Sequence, residues 1–401
     1  MRPQHATHSL YALSAMAALV TSCAAPQQTL NPQASAQLAH VFTGYWTYAI
    51  VHSFDNPGGR DPYRGVLVYK RNFYGTLSQG GVSGGERGLG TIYEVEPNGR
   101  EHVLHYFLPG SSGAGAHPYG DLTEFNGMLY GTTASGGDES DCSGGCGTSF
   151  SISPSGAEFQ TLHQFTGTDG GSPSTHLTVL NGTLYGTTSS WGAKHLGTVF
   201  AVTPSGGFKK LHDFTGKDGA YPSGPLAVLN GKLYGTTVLG GSDGAGAVFS
   251  ITADGSEHVL HSCKKEPDCD NPIGGLTPLN GKLYGNSLGG GSGGQGSVFV
   301  VTTAGKEQVL YSFPSSGSGN GPGGSLTAHD DVLYGTTTQG GGYKGGIVFS
   351  VTLKGSFQAL YHLNSRFAET PSALTYSGGK LYGTLAYGGH SGSGVLYSLT
   401  P

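Results

Sequence analysis

The chain has 401 residues, of which 73 are glycine and 20 proline, and only 11% are charged. So low a charge density excludes a coiled coil, a long-helix bundle and a polyelectrolyte tail, while 10% aromatic residues argue against disorder. A formal net charge of −5 leaves no basic excess to meet a phosphate backbone, so nucleic acid is not expected as a partner.

Residues 1–22 read as an export signal. Arg2 supplies the positive start, and LYALSAMAALV at 10–20 is an apolar run too short to span a bilayer as a helix. The run ends in Val20-Thr21-Ser22-Cys23. This pattern resembles the lipobox of bacterial lipoproteins, in which the cysteine is lipidated and becomes the new amino terminus. An ordinary signal peptide cut nearby is the alternative. The resemblance implies lipidation of Cys23, export, and anchoring to a bacterial cell envelope through that lipid alone. Residues 23–43, rich in Ala, Gln and Pro, are expected to form a flexible tether. The other four cysteines fall into local pairs, Cys142 with Cys146 and Cys263 with Cys269. In an oxidising compartment these are expected to be disulfides. The spacings CSGGC and CKKEPDC are not the C-x2-C pairs of structural zinc sites.

From residue 44 onward the chain repeats. A phrase of the form LYGTT recurs around Tyr74, Tyr130, Tyr185, Tyr234, Tyr284, Tyr334 and Tyr382, at a period near 50. Each unit holds four short apolar runs; in one they are PLAVLN, KLYGTTV, GAVFSIT and EHVLHSC. The first two runs are joined by Asn126-Gly127, Asn181-Gly182, Asn230-Gly231 and Asn280-Gly281, the preferred dipeptide of a two-residue hairpin. The runs are Gly-bounded and rich in Val, Phe, Tyr and Thr, so they read as strands. A fourth-type run, AIVHSF at 49–54, precedes every first-type run, and GVLYSLT at 394–400 has no fourth run after it. Each strand type therefore occurs seven times, for 28 strands. A ring needs this complement of ends, because an open ring exposes strand edges. The expectation is a seven-bladed β-propeller over 44–401, with four-stranded antiparallel blades and terminal strands sharing one blade.

The strings LNGKLYGTT, GTVFAVTPSG and LHDFTGKDGAYPSG resemble the Gloeo/Verruco tandem repeat, found in choice-of-anchor GloVer-containing proteins. LNGKLY followed by Gly-Gly also resembles kelch blades, more weakly. The resemblance implies the propeller fold and surface display. It implies no catalytic residues.

In such a blade the longer loops, joining strands 2 to 3 and 4 to the next 1, share one face, where function tends to sit. His52, His105, His163, His212 and His261 recur at one position of strand 4, with Tyr311 and Tyr361 in the other units, and read as packing residues spread around the ring. Departures from the repeat are the candidate ligand-binding residues. Trp191 replaces the first glycine of the pair seen at Gly80-Gly81, Gly136-Gly137 and Gly240-Gly241, and Lys194 and His195 follow it. The indole either stacks on a sugar or partner, or fills a gap between loops. Tyr343 with Lys344, and Tyr387 with His390, are similar intrusions. Acidic loops at Asp138 and Asp141 and at Asp268 and Asp270 offer oxygen ligands for calcium, without EF-hand spacing. No cofactor is otherwise expected. GSGGQG at 291–296 precedes a strand, not a helix, so it is no dinucleotide motif.

Two functions follow. The first is an envelope-anchored, monomeric binding module for a glycan or protein. The second is an extracellular propeller enzyme, such as a polysaccharide lyase or hydrolase, drawing on Lys194, His195, Tyr387, His390, Arg366 and Glu369. A purely structural role is a third. Convergence of such groups over the ring axis discriminates between the first two.

Overall fold

Two-residue turns set the blade. The structure, a computed structural model, describes residues 46–81, 88–109, 113, 115–315, 319–364 and 371–401. The expected export signal, Cys23 and the tether lie outside the described residues. Asn126-Gly127 has φ of 52° and 81°, and Asn181-Gly182 of 51° and 80°. Positive φ at both turn residues matches the twist of the flanking strands. Lys70-Arg71, Asp330-Asp331 and Gly378-Gly379 adopt the same conformation without the Asn-Gly sequence. Strand pairing thus imposes the turn, and Asn-Gly is its least strained solution.

Seven antiparallel sheets result. Blade 1 comprises strand a (Leu67–Tyr69), b (Asn72–Leu77), c (Thr91–Val95) and d (Glu101–Tyr106), hydrogen-bonded in that order. Blade 7 takes strands a to c from the C-terminal end and strand d, Thr47–Ser53, from the N-terminal end. That strand d pairs with Val395–Thr400, so the ring closes as the strand count predicts. Strands a line a central channel of about 780 Å³. The count of 28 is one short. In blade 4, Ala220–Pro222 pairs with the end of strand b as an extra strand. The same segment makes single bridges in other blades, such as Arg60 with Gln79 and Ala116 with Ser135. A three-residue strand ending in proline carries no hydrophobic period to read.

The core lies between blades, in seven buried clusters. Junction 1/2 packs Ile92 and Phe107 against Leu122, Leu129, Phe150 and Ile152, all at most 4% exposed. The glycine of LYGTT belongs to this packing. A Cβ at Gly131, Gly186 or Gly235 would sit 2.5 Å from the ring of Phe150, Phe200 or Phe249 on strand c. The residue after that glycine stitches blades together. Thr76, Thr132 and Thr236 donate to the carbonyls of Gly120, Thr175 and Gly274 at 3.1, 3.1 and 2.8 Å, and Thr384 closes the circle onto Pro62 at 2.9 Å. Both cysteine pairs are bonded, with Cα–Cα distances of 5.3 and 5.1 Å. Their sulfurs are buried in junctions 2/3 and 4/5 rather than displayed on loops. Cys263 stands where Phe54, Phe107, Phe165, Phe214 and Phe313 stand in other units, so a disulfide there fills the space of a ring.

Strand d carries a register shift against strand c in all seven blades. A bulge on an edge strand re-aims the neighbouring side chain. Here that side chain is the recurrent histidine or tyrosine, which meets the start of strand d in the next blade. His52 bonds Glu101 at 3.0 Å. His105 stacks on Phe159 at 3.8 Å, His163 on Phe208 at 3.5 Å, Tyr311 on Phe357 at 4.2 Å and Tyr361 on Tyr48 at 5.0 Å. The five histidines hold five separate junctions.

Candidate functional site at the mouth of the channel

The connection from strand d to the next strand a contains an X-Pro pair. Asp61, His117, Ser172, Tyr221, Asn271 and Gly321 precede the prolines, with φ between 53° and 64°. Residues one to three places after the proline line a cavity at the mouth of the channel on the long-loop face. Blades 4–6 contribute small residues there. A Cβ at Gly224 would lie 2.1 Å from the backbone of Gly274, and one at Gly274 would lie 2.4 Å from that of Gly324. Close backbone packing seals this side of the mouth.

Blades 1–3 fill the same positions with chemistry: Tyr63, Arg64, Tyr119, Asp121, Thr175 and His176. The Tyr63 ring lies 5.6 Å from Tyr119 and 6.2 Å from Tyr387, and its hydroxyl is 2.7 Å from that of Tyr387. Burial, then the Tyr387 hydrogen bond, raises the Tyr63 phenol above its ordinary range. It is therefore a neutral hydroxyl at neutral pH, able to donate a proton but not to act as a phenolate base. Asp121 Oδ2 is 3.5 Å from His176 Nδ1, while its Oδ1 is buried without a hydrogen-bond partner. No carboxylate among the described residues lies within ion-pair distance of Arg64. An unsatisfied buried acceptor and an unpaired guanidinium on one cavity can both be satisfied by a polar ligand.

The residues singled out from sequence stand on blades 3, 6 and 7. Trp191 adopts φ 66° where Gly80, Gly136 and Gly240 have 74°, 75° and 80°. Its ring covers Gly171, where a Cβ would come within 2.5 Å, and packs against the core holding Cys142 and Cys146. His195 meets the indole edge-on at 5.2 Å and, like Lys194, is exposed. Tyr343 and Lys344 are exposed on blade 6. His390 borders an apolar cavity of about 500 Å³ between blades 6 and 7, with Tyr48, Ile50, Tyr361 and Leu363. Of the whole set, only Tyr387 reaches the channel mouth by a described contact. Arg366 and Glu369 lie outside the described residues. Asp138 accepts the Ser140 amide of its own turn at 2.8 Å, and Asp141 is exposed. Asp268 bonds His261 at 3.0 Å and faces Glu307, a mixed nitrogen and oxygen set; Asp270 lies over Gly289. His212, Asp218 and Glu257 form the equivalent group one junction earlier. Burial, then Asp218, lifts the Glu257 carboxyl to about 7; burial, then Asp268, lifts that of Glu307 to about 8.

The Gloeobacter/Verrucomicrobia repeat matches three overlapping stretches, residues 82–287, 138–343 and 240–401. The chain belongs to that family. No functionally curated protein matches it. Similar solved structures include an oligogalacturonate lyase in complex with manganese, at TM-score 0.56 and 10% identity over 89% of this chain and 94% of that one. A nidogen/laminin complex chain has TM-score 0.43 and 16% identity, covering 73% and 93%. A gluconolactonase from Xanthomonas campestris has TM-score 0.39 and 18% identity, covering 63% and 78%. At these identities the likeness concerns the fold alone.

Sequence reasoning missed Tyr63, Arg64, Tyr119, Asp121 and His176. The signal that finds them is an alignment of the units on their X-Pro pairs. Pro62-Tyr-Arg-Gly, Pro118-Tyr-Gly-Asp and Pro173-Ser-Thr-His then stand out against Pro222-Ser-Gly-Pro, Pro272-Ile-Gly-Gly and Pro322-Gly-Gly-Ser.

Proposed function

We propose that the protein is an envelope-anchored binding module whose channel mouth takes a glycan or protein ligand, best fitted by a sugar chain bearing an anionic group. One observation carries this reading: the repeat loses its symmetry at the mouth, where three blades supply polar and aromatic side chains and three supply glycine, proline and serine. Tyr63, Tyr119 and Tyr387 offer faces and hydroxyls to a sugar ring. The free Asp121 oxygen accepts from sugar hydroxyls, and Arg64 pairs with the anion. Lipidation at Cys23 and the tether at 23–43 would hold the ring at the membrane surface. The described residues contain no helix long and apolar enough to cross one.

The test is thermal unfolding with neutral and acidic oligosaccharides. A ligand binding only the folded state adds about 2.7 kcal/mol at a hundredfold excess over its Kd. The shift is expected with acidic chains, to vanish in Arg64→Ala, and to survive in Trp191→Ala. No shift with either panel, or one indifferent to Arg64→Ala, would overturn the anionic-glycan reading.

A second reading is an extracellular enzyme acting on polysaccharide, favoured by the convergence of Tyr63, Arg64, Asp121 and His176 on one cavity. One fold neighbour is an oligogalacturonate lyase. In this reading the Tyr63 hydroxyl donates a proton and the Asp121–His176 pair accepts one. Chain shortening of a bound polysaccharide, lost in Tyr63→Phe and His176→Gln, would promote it; intact polymer after prolonged incubation would remove it.

A further inference from the structure

We propose that blade junctions 3/4 and 4/5 each bind one divalent cation of the zinc type, held by His212, Asp218 and Glu257 in the first and by His261, Asp268 and Glu307 in the second. In each group one ligand atom per residue lies within 4.8 Å of the others. The imidazole Nε2 is 2.8 Å from Asp218 Oδ2 in one and 3.0 Å from Asp268 Oδ2 in the other. Metal–ligand bonds of about 2.0–2.2 Å need only small adjustments of such a cluster.

The glutamates supply the second observation. Glu257 Oε1 and Glu307 Oε1 are buried and have no hydrogen-bond partner. Each faces an aspartate across the junction, and two carboxylates in so shielded a place need a cation or a proton between them. The aspartates are held for the purpose. Asp218 Oδ1 accepts from the Thr215 amide and hydroxyl, both at 2.8 Å, and Asp268 Oδ1 from the Cys269 amide at 2.7 Å. Oδ2 of each lies against the histidine, as hydrogen bonds to one oxygen of a carboxylate hold the other in place for a metal.

Neighbouring junctions act as internal controls. Junction 2/3 has the pair His163–Asp169 at 2.8 Å, but Phe208 stacks on the imidazole at 3.5 Å in place of the glutamate. Junction 7/1 has His52 and Glu101 but Gly58 in place of the aspartate, where a Cβ would touch Glu101 Oε1 at 2.9 Å. Only two adjacent junctions combine all three ligands among the described residues. One imidazole and two carboxylates suit zinc, with water in the fourth position, whereas calcium takes oxygen ligands throughout. Cys263 and Cys269 beside His261 are bonded to each other and offer no thiolate.

The test is metal content of the full chain, stripped with chelator, dialysed against zinc and then against buffer. Two ions per chain are expected beyond the content of the double variant Glu257→Phe with Glu307→Phe, which copies junction 2/3 and so retains the ring packing. Glu257→Gln or Glu307→Gln alone should lose one ion, and Glu101→Gln none. Cobalt loading should give a visible absorption of low-coordinate Co(II) in the parent and not in the double variant. Equal zinc content in parent and double variant would overturn the proposal and leave a shared proton as the link between the carboxylates. The readout is independent of sugar binding at the channel mouth.

Discussion

Junctions 7/1 and 1/2 place a histidine at the same point of strand d and surround it with opposite chemistry. At 7/1, burial alone would lower the His52 pKa, but the Glu101 hydrogen bond and charge and the Gly99 carbonyl outweigh it, and the net shift is upward. At 1/2, His105 lies flat on Phe159, its Nε2 is buried without a partner, and burial lowers it to about 4. The fold asks only for a flat side chain after the bulge, and the residue at the start of the next strand d, or just before it, decides its charge. Tyr311 and Tyr361 meet the same demand with phenol rings.

The largest effect should come from the aromatic junction. Phe159→Ala removes a ring packed against His105, Phe107 and Phe150, and about 2–3 kcal/mol of unfolding free energy should be lost in urea. Loss below 1 kcal/mol would show that the stack is incidental. At the charged junction, Glu101→Ala leaves His52 without its partner and should cost about 1–2 kcal/mol. An NMR titration should then show the His52 pKa falling, because only the Gly99 carbonyl and Asp55 are left to oppose burial; an unchanged value would deny the pairing.

The two junctions should also respond to pH with opposite signs. His52, raised in the fold, contributes stability that is complete below the ordinary histidine pKa and lost as pH rises through its elevated value. His105, lowered in the fold, costs stability as pH falls from the ordinary value toward 4, because the unfolded chain takes up the proton first. Melting curves across this range should show both arms. His105→Phe should flatten the acid arm and Glu101→Gln the alkaline one, each by about 1 kcal/mol after allowance for partial exposure. The smallest effect is expected from Glu101→Phe, which converts one junction type into the other. A change under about 1 kcal/mol would support their interchangeability, since Phe159, Phe208 and Phe357 already hold that position. A loss above 3 kcal/mol would break it.

The blade was legible because its determinants are local. Asn-Gly turns, strand alternation and a repeated LYGTT needed no knowledge of tertiary structure, and the unmatched runs at 49–54 and 394–400 announced closure. The channel mouth was not. Tyr63, Asp121 and His176 come from three units, one or three places after their prolines, so no spacing within one unit joins them. Nor did sequence show why histidine alternates with tyrosine on strand d, because each answer lies in the next repeat: Glu101 for His52, Phe159 for His105, Phe357 for Tyr311. Trp191 stood out as an anomaly, but its neighbours Gly167 and Gly171, and the buried disulfide of the preceding blade, become its neighbours only when the ring is assembled.

The sharing of blade 7 between the two ends has a consequence for the order of synthesis. Thr47–Ser53 is the first described strand to leave the ribosome, and its partner Val395–Thr400 is the last. Five junctions can pack as their blades appear, but junction 6/7 must await Val395, Tyr397 and Leu399, and Phe54, Val66 and Phe73 await Leu396 to complete junction 7/1. Until Val395–Thr400 emerges, the nascent chain is an open arc with an unpaired strand at its leading edge, the form most exposed to mispairing with another copy. Deleting Val395–Thr400 would yield an unlatched arc in place of a slightly smaller ring.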